Sequence, residues 1–196
     1  LLPLRLKPAP NPNVGTDLKL ALIELGPAFI KLGQLLSTRR DVLPDSVSDE
    51  LASLQDQVPG IDSTLALNTI KAGLGDYFES HFQTINPIPL AAASIAQVHE
   101  GTLLDGTQIV IKFRRPGIKA LILKDLKLLE SLAALLNKAL PDASRLHLFQ
   151  IVRDYRHVIL AELDFAHEAA NAIKLRALWM PRGKLLVPKI HTTFTR

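Results

Sequence analysis

Cysteine is absent from this chain of 196 residues, which excludes disulfides, thiolate catalysis and zinc sites built on cysteine. Without cysteine, the sequence does not indicate whether the protein works in an oxidising or a reducing compartment. The histidines are scattered without the spacing of an HExxH metal site; they are His81, His99, His147, His157, His167 and His191. The sequence therefore predicts no metal site of its own.

Aromatic residues are also scarce, at 5% of the chain. Few rings are available for base stacking, no RNA- or DNA-reading motif is present, and the net charge of +4 is not concentrated into one run. We therefore expect no nucleic-acid partner. Leucine, isoleucine, alanine and valine must build most of the core, which suits helices packed on helices or on a small sheet.

Long uncharged hydrophobic runs are missing as well. The longest apolar stretch, 121–140, is interrupted by Lys124, Asp125, Lys127, Glu130 and Lys138, so it predicts an amphipathic helix and not a membrane span. The chain begins at Leu1 without a signal-peptide layout and ends at Arg196 within a predicted strand. We expect it to be a fragment.

The order of predicted elements indicates an α+β fold. A proline-rich irregular arm (1–16) precedes a helical extension (17–82), in which Gly26-Pro27 separates two helices. Residues 83–196 are predicted to form a lobe with a small antiparallel sheet. Its expected elements are two strands at about 95–103 and 107–113 around a type I′ turn at Asp105-Gly106, a helix at 119–139, one long helix at 148–178 and a last strand at 185–194.

Lys112 is the first candidate for chemistry. In its strand, Ile109, Ile111 and Phe113 share one face, whereas Val110 and Lys112 share the other. A lysine here is either a functional cation in a cleft or a charge that protects an edge strand from aggregation. The strand alone does not decide between the two.

The predicted long helix carries acidic groups on two faces. Glu162 falls within its apolar stripe, where a carboxylate needs a cation or hydrogen-bond donors. Asp164 and Glu168 share a second face with Asn171. The alternative is a solvated acidic helix.

Two further segments contain unusual small residues. Gly33 lies between Lys31 and Gln34 in a predicted helix, where alanine is preferred over glycine by about 1 kcal/mol. A glycine here permits the close approach of another backbone or of a ligand. The alternative is a tolerated surface glycine. The run Ala91 to Ser94 would let backbone N–H groups approach a phosphate, with the Ser94 hydroxyl as a further donor. Ordinary packing of an alanine-rich turn is the alternative.

Together these segments resemble the UbiB/ADCK family of atypical, protein-kinase-like proteins, over about residues 18–188. The motifs are similar to the family's KxGQ motif (Lys31, Gly33, Gln34), its Ala-rich loop (Leu90, Ala91, Ala92, Ala93, Ser94, Ile95, Ala96, Gln97, Val98), its lysine strand (Val110-Ile111-Lys112, then Arg115-Pro116-Gly117) and its ExD motif (Glu162, Asp164). The residues within these motifs are most similar to those of the bacterial UbiB branch. The resemblance implies a kinase-like N-lobe with a helical N-terminal extension.

The resemblance also implies roles for these residues. Lys112 would hold the α and β phosphates of ATP and pair with Glu168, and the Ala-rich loop would cover the phosphates. Lys31 and Gln34 would lie near Glu162 and Asp164, and a desolvated Glu162 would meet Lys31. No catalytic residue is expected within the chain, because a kinase's catalytic-loop and metal-binding acids would follow Arg196.

The implied activity is an ATP- and Mg²⁺-dependent one that supports ubiquinone biosynthesis at the bacterial inner membrane. Expected partners are the nucleotide, proteins of ubiquinone biosynthesis and membrane lipid. The chain by itself is expected to lack ATPase activity above a Lys112→Ala control. The alternatives are a pseudokinase-like scaffold that binds a partner or lipid without turnover, and a helical interaction module whose charges form only structural ion pairs.

Overall fold

A computed structural model of the chain describes residues 13–41, 43–54, 59–139, 147–183 and 185–195. Helices and a four-stranded antiparallel sheet confirm the α+β class. The chain divides into a first unit (residues 1–56 and 125–151) and a second unit (57–124 and 152–196). The helices are α1 Val14–Leu25, α2 Pro27–Ser37, α3 Asp45–Ala52, α4 Ser63–Leu74, α5 Tyr77–His81, α6 Ile118–Ala139, α7 Leu148–Glu162 and α8 Phe165–Trp179.

In the first unit, α1, α2 and α3 pack against one another. Gly26 separates α1 from α2 as predicted, with a φ of 106° that favours glycine, and Pro27 opens α2. α1 begins at Val14, earlier than predicted, because Asn13 already accepts a hydrogen bond from the Asp17 N–H. Most of the predicted arm, residues 1–12, lies outside the described residues.

Gly33 lies in the buried interface of these three helices. A Cβ at this position would come within 2.8 Å of Leu22 Cδ1, nearer still to Leu54 Cδ1, and 3.7 Å from Leu51 Cδ2. The interpretation of a tolerated surface glycine is therefore wrong. Glycine is needed here because α2 meets the leucine side chains of its neighbours without room for a methyl group.

In the second unit, α4 begins at a capping aspartate: Asp62 Oδ1 accepts hydrogen bonds from the N–H groups of Thr64 and Leu65. The strands are β1 Phe82–Ile85, β2 Ala91–Ala92, β3 Ala96–Leu103 and β4 Gln108–Arg114. β3 pairs with β1, β2 and β4, all antiparallel. The core of the unit contains Ile70, Leu74, Phe82 and Leu103, with Phe78, Ile85, Ile109, Ile111, Phe113 and Phe194 packed against it.

The hairpin between β3 and β4 differs from the prediction in its turn. Its loop has three residues, Leu104, Asp105 and Gly106, closed by hydrogen bonds from Leu103 N–H to Thr107 O and from Gly106 N–H to Leu103 O. Gly106 has a φ of 84°, whereas Asp105 is not among the described residues with positive φ. A type I′ turn needs positive φ at both central residues, so that prediction was wrong.

Two predictions near the C-terminal end of the chain were also wrong. The expected long helix is two helices, because the chain breaks at Leu163-Asp164 and Asp164 caps α8 by accepting the His167 N–H at 3.0 Å. The expected strand at 185–194 is irregular, with one 3₁₀ turn at Thr192–Phe194. Phe194 there packs on the core of the second unit. The partly buried Phe194 ring, the buried Val187 side chain and a hydrogen bond from Arg176 to the Val187 carbonyl oxygen, and not strand pairing, hold this segment.

None of the helices that the structure describes combines the length and apolar content needed to cross a membrane.

Candidate functional site

The central contact of the second unit joins Lys112 in β4 to Glu168 in the first turn of α8. The Lys112 Nζ lies 2.6 and 2.8 Å from the two carboxylate oxygens. The side chains are 40% and 58% exposed. Exposed ion pairs contribute little to stability, so the main consequence of this pair is that the ammonium group lies beside the first turn of α8.

The sheet brings the Ala-rich loop beside this lysine. Val98 in β3 pairs with Ala91 in β2 and with Lys112 in β4, so the three residues form one row across the sheet. Directly opposed residues in antiparallel strands point to the same face. Ala91, Val98 and Lys112 therefore share the face opposite the core of the second unit.

Gln97 lies on the other face and is buried, at 1% exposure. Its Oε1 accepts the Ile61 N–H at 2.9 Å, and its Nε2 lies 2.7 Å from His99 Nε2. His99 Nδ1 lies 2.7 Å from the Asn86 carbonyl oxygen, so Nδ1 must carry the proton and Nε2 accepts from Gln97. Gln97 thus belongs to a satisfied internal network, and its side chain faces away from the row that contains Lys112.

The other residues of the Ala-rich loop range from buried to exposed. The side chains of Ser94, Ile95 and Ala96 are buried. Leu90 and Ala91 are exposed, and Ala92 and Ala93 are intermediate. The Ser94 hydroxyl is thus enclosed, not presented at the surface as the sequence suggested.

Two arginines after Lys112 attach β4 to neighbouring segments. Arg114 donates from Nη1 to the Leu163 carbonyl oxygen at 3.3 Å, at the break that precedes α8. Arg115 donates to the carbonyl oxygens of Ala93 and Pro59. The loop, the strand and the start of α8 are therefore linked by hydrogen bonds to backbone carbonyls.

The acids of the ExD motif do not lie as predicted. Glu162 is exposed at the end of α7, so the prediction that it occupies an apolar, desolvated stripe was wrong. Asp164 uses its carboxylate to cap α8 by accepting the His167 N–H, so it begins a new helix and does not continue a face of α7. The break at Leu163 places Glu162 at the end of α7 and Asp164 at the start of α8, which a projection of one continuous helix could not anticipate.

The residues of the KxGQ motif lie in α2 of the first unit. Gln34 donates from Nε2 to the Leu54 carbonyl oxygen at 3.1 Å, and Gly33 is buried. Lys31 is half-buried. Because Lys31 and Glu162 belong to different units, their pairing stays a prediction.

Sequence reasoning left Phe165, Arg114 and His99 out of the site. Lys112 Nζ lies 4.6 Å from the centre of the Phe165 ring. Period-two alternation along β3 could have identified His99 and Gln97 as core-facing residues. Phe165 could have been found only by placing the helix break at Asp164, a preferred capping residue.

Among the described residues, no group of three histidines or acids is close enough to hold a metal ion. A Mg²⁺ ion bound to a nucleotide keeps phosphate and water ligands and needs only one or two carboxylates from the protein. Asp164 and Glu168 are already engaged by the α8 backbone and by Lys112. The described residues therefore fit an anionic phosphate chain beside Lys112 better than they fit a metal.

Comparison with known proteins defines the class as kinase-like. The model of the ABC1 atypical kinase-like domain matches residues 53–196. In fold, the chain is similar to the Mycobacterium tuberculosis protein Rv3197, solved as a complex with erythromycin, with a TM-score of 0.58, 25% identity, and coverage of 91% of this chain and 45% of that one.

The chain belongs to the ABC1 atypical kinase-like family. Among its relatives are proteins described as probable protein kinase UbiB from Shewanella denitrificans, 50% identical over 91% of this chain and 33% of the relative, and from Marinobacter nauticus, 44% identical over 100% and 36%. The chain thus spans about one third of the length of these bacterial relatives. The sequence-based recognition of the UbiB type is confirmed.

Proposed function

We propose that this chain forms the ATP-binding portion of an atypical kinase or ATPase that supports ubiquinone biosynthesis. The observation that carries the proposal is the placement of Lys112. Its ammonium is held by Glu168, faces away from the core and lies in one row with Ala91 and Val98 of the Ala-rich loop. In kinases a lysine of this kind binds the nucleotide phosphates and pairs with a helix glutamate.

Each part of the site has a defined contribution in this proposal. Lys112 supplies the positive charge for the α and β phosphates, and Glu168 orients it. Small side chains at Ala91 and Ala92 leave the loop backbone accessible, and Arg115 fixes the loop at Ala93. Mg²⁺ would supply further neutralisation of the phosphates, with additional protein ligands outside the described residues.

Protection of Lys112 from acylation tests ATP binding. In the purified intact protein, acylation of each lysine is followed by mass spectrometry with and without MgATP. We expect MgATP to slow the modification of Lys112 and to leave Lys71 and Lys119 unchanged, because these lie on α4 and α6. Equal protection of all three lysines, or of none, would contradict the proposal. Lys112→Ala and Glu168→Gln should both weaken ATP binding.

The alternative is a pseudokinase-like scaffold that binds a partner or lipid without turnover. Phosphate release by the intact protein, compared with a Lys112→Ala variant, distinguishes the two. The ubiquinone role is tested separately, by ubiquinone content in a bacterium whose own copy is replaced by wild type or by Lys112→Ala. The membrane location is tested by fractionation of the same cells.

A further inference from the structure

The ammonium of Lys112 has a second contact besides Glu168. Its Nζ lies over the ring of Phe165, 4.6 Å from the ring centre. A cation within about 6 Å of an aromatic face is attracted by the negative charge of the ring face. Phe165 is half-buried and opens α8, so the ring is held by the helix and not by a mobile loop.

Phe165 and Glu168 lie three residues apart in α8, which makes them neighbours on the helix surface. The ring and the carboxylate thus contact the same ammonium side by side. Asp164 holds this first turn by capping it. A lysine side chain has four rotatable bonds, so one carboxylate alone restricts its direction weakly.

We propose that Phe165 is a positioning residue that holds the Lys112 ammonium over the open face of the sheet, a role that rests on the proposed ATP site. The ring adds attraction without adding a second negative charge, so it orients the lysine and does not compete for it as another acid would. The phosphate chain of the nucleotide is the part of the ligand that depends on this contact.

The test compares Phe165→Leu with Phe165→Tyr in the intact protein, because leucine fills similar space without a π face and tyrosine keeps one. We expect Phe165→Leu to weaken ATP binding about two- to fivefold, which corresponds to an exposed cation–π contact, and to leave adenosine binding unchanged. Phe165→Tyr should retain the wild-type affinity for ATP. Equal losses for ATP and adenosine would show a packing role and overturn the proposal.

A second measurement needs no nucleotide. The ring current of Phe165 should shift the NMR signals of the Lys112 ε-methylene upfield, and this shift should vanish in Phe165→Leu or, if leucine impairs folding, in Phe165→Met. An unchanged Lys112 signal would overturn the positioning role even if ATP binds. Failure of the wild-type protein to bind ATP would instead contradict the proposed function, while the shift would still report on the contact.

The chain offers a matched control. Lys71 Nζ lies 4.7 Å from the centre of the Phe78 ring, in the same unit. Phe78→Leu should alter the signals of Lys71 and lower stability, because Phe78 packs on the core. It should leave the ratio of ATP to adenosine affinity unchanged. A change in that ratio equal to that of Phe165→Leu would show a general effect of ring loss and contradict the proposal.

Discussion

Arg115 donates from Nε to the carbonyl oxygen of Ala93 at 2.8 Å, which joins the end of β4 to the Ala-rich loop. Its Nη2 also donates to the Pro59 carbonyl oxygen at 2.7 Å, next to the start of α4. A planar guanidinium can bridge two backbone segments in this way, whereas a lysine ammonium lacks the fork geometry. Arg115 is therefore the residue that fixes the loop beside Lys112.

Arg115→Ala should loosen the loop. Hydrogen bonds from charged donors contribute about 1.5–3 kcal/mol each, and partial exposure lowers this value, so we expect a loss of about 1–2 kcal/mol in the free energy of unfolding. Amide hydrogen exchange at Ala93 should become faster. Lys119→Ala, an exposed cation four residues away, serves as the control. Equal exchange at Ala93 in both variants would contradict this role.

Gln97→Leu should destabilise the second unit. The substitution leaves the Ile61 N–H and the His99 ring nitrogen without their partner, and each unsatisfied buried group costs about 1–3 kcal/mol. We expect a total loss of about 2–6 kcal/mol, measured by denaturant unfolding. Gln108→Leu, at an exposed position of β4, should change the stability by less than about 0.5 kcal/mol. A normally stable Gln97→Leu protein would show that the internal network is unimportant.

Gly33→Ala should destabilise the first unit despite the better helix propensity of alanine. The added methyl group displaces the buried side chains of Leu22 and Leu54, and overpacking costs about 1–3 kcal/mol against a gain of up to about 1 kcal/mol. Thermal unfolding measures the net loss. Gly73→Ala is the matched control, because a Cβ there meets no atom within 4 Å, and it should stabilise α4. Similar shifts in both variants would contradict the packing argument.

The hairpin should lose stability in acid through Asp105. Its carboxylate accepts the Thr107 N–H at 2.9 Å, which lowers the pKa of Asp105 below its usual range, and the nearby charge of His191 adds to this effect. A lowered folded pKa means that the stabilisation is complete above the unfolded pKa of about 3.9 and is lost as the pH falls through the folded value.

Asp105→Asn keeps the acceptor oxygen and does not titrate. We therefore expect its urea midpoint to fall less between pH 5 and 2.5 than that of the wild-type protein. The two falls should differ by about a few tenths of a molar urea. Above pH 5 the wild-type protein should have the higher midpoint, because only its residue 105 is charged, and the two midpoints should converge as Asp105 becomes protonated. Parallel curves over the whole range would show that Asp105 does not contribute to the acid sensitivity.

Local sequence signals predicted much of the fold. The Gly26-Pro27 break and the alternating faces of β4 depend on nearby residues, and the structure confirms them. The short strands β1 and β2 were missed, because their pairing with β3 joins residues that are distant in sequence and their composition is ordinary. The prediction of a strand at 185–194 was wrong because this apolar segment packs on the core through Phe194 and does not pair with any of the described strands.

The candidate site was predictable in part. The pairing of Lys112 with Glu168 across 56 positions came from motif resemblance and not from local pattern. Glu162 and Asp164 were misplaced because a continuous helical projection hides a two-residue break. Alternation along β3 explains why the Gln97 side chain is buried. The motif resemblance assigned all residues of the loop to nucleotide binding and so did not distinguish the two faces of the strand.

The separate beginning of α8 changes what an alanine variant at Asp164 would mean. Loss of activity in Asp164→Ala would not identify this carboxylate as a ligand, because the same change removes the cap of the turn that carries Phe165 and Glu168. Asp164→Ser retains a capping oxygen without the charge, so only a defect shared by both variants would implicate the negative charge itself.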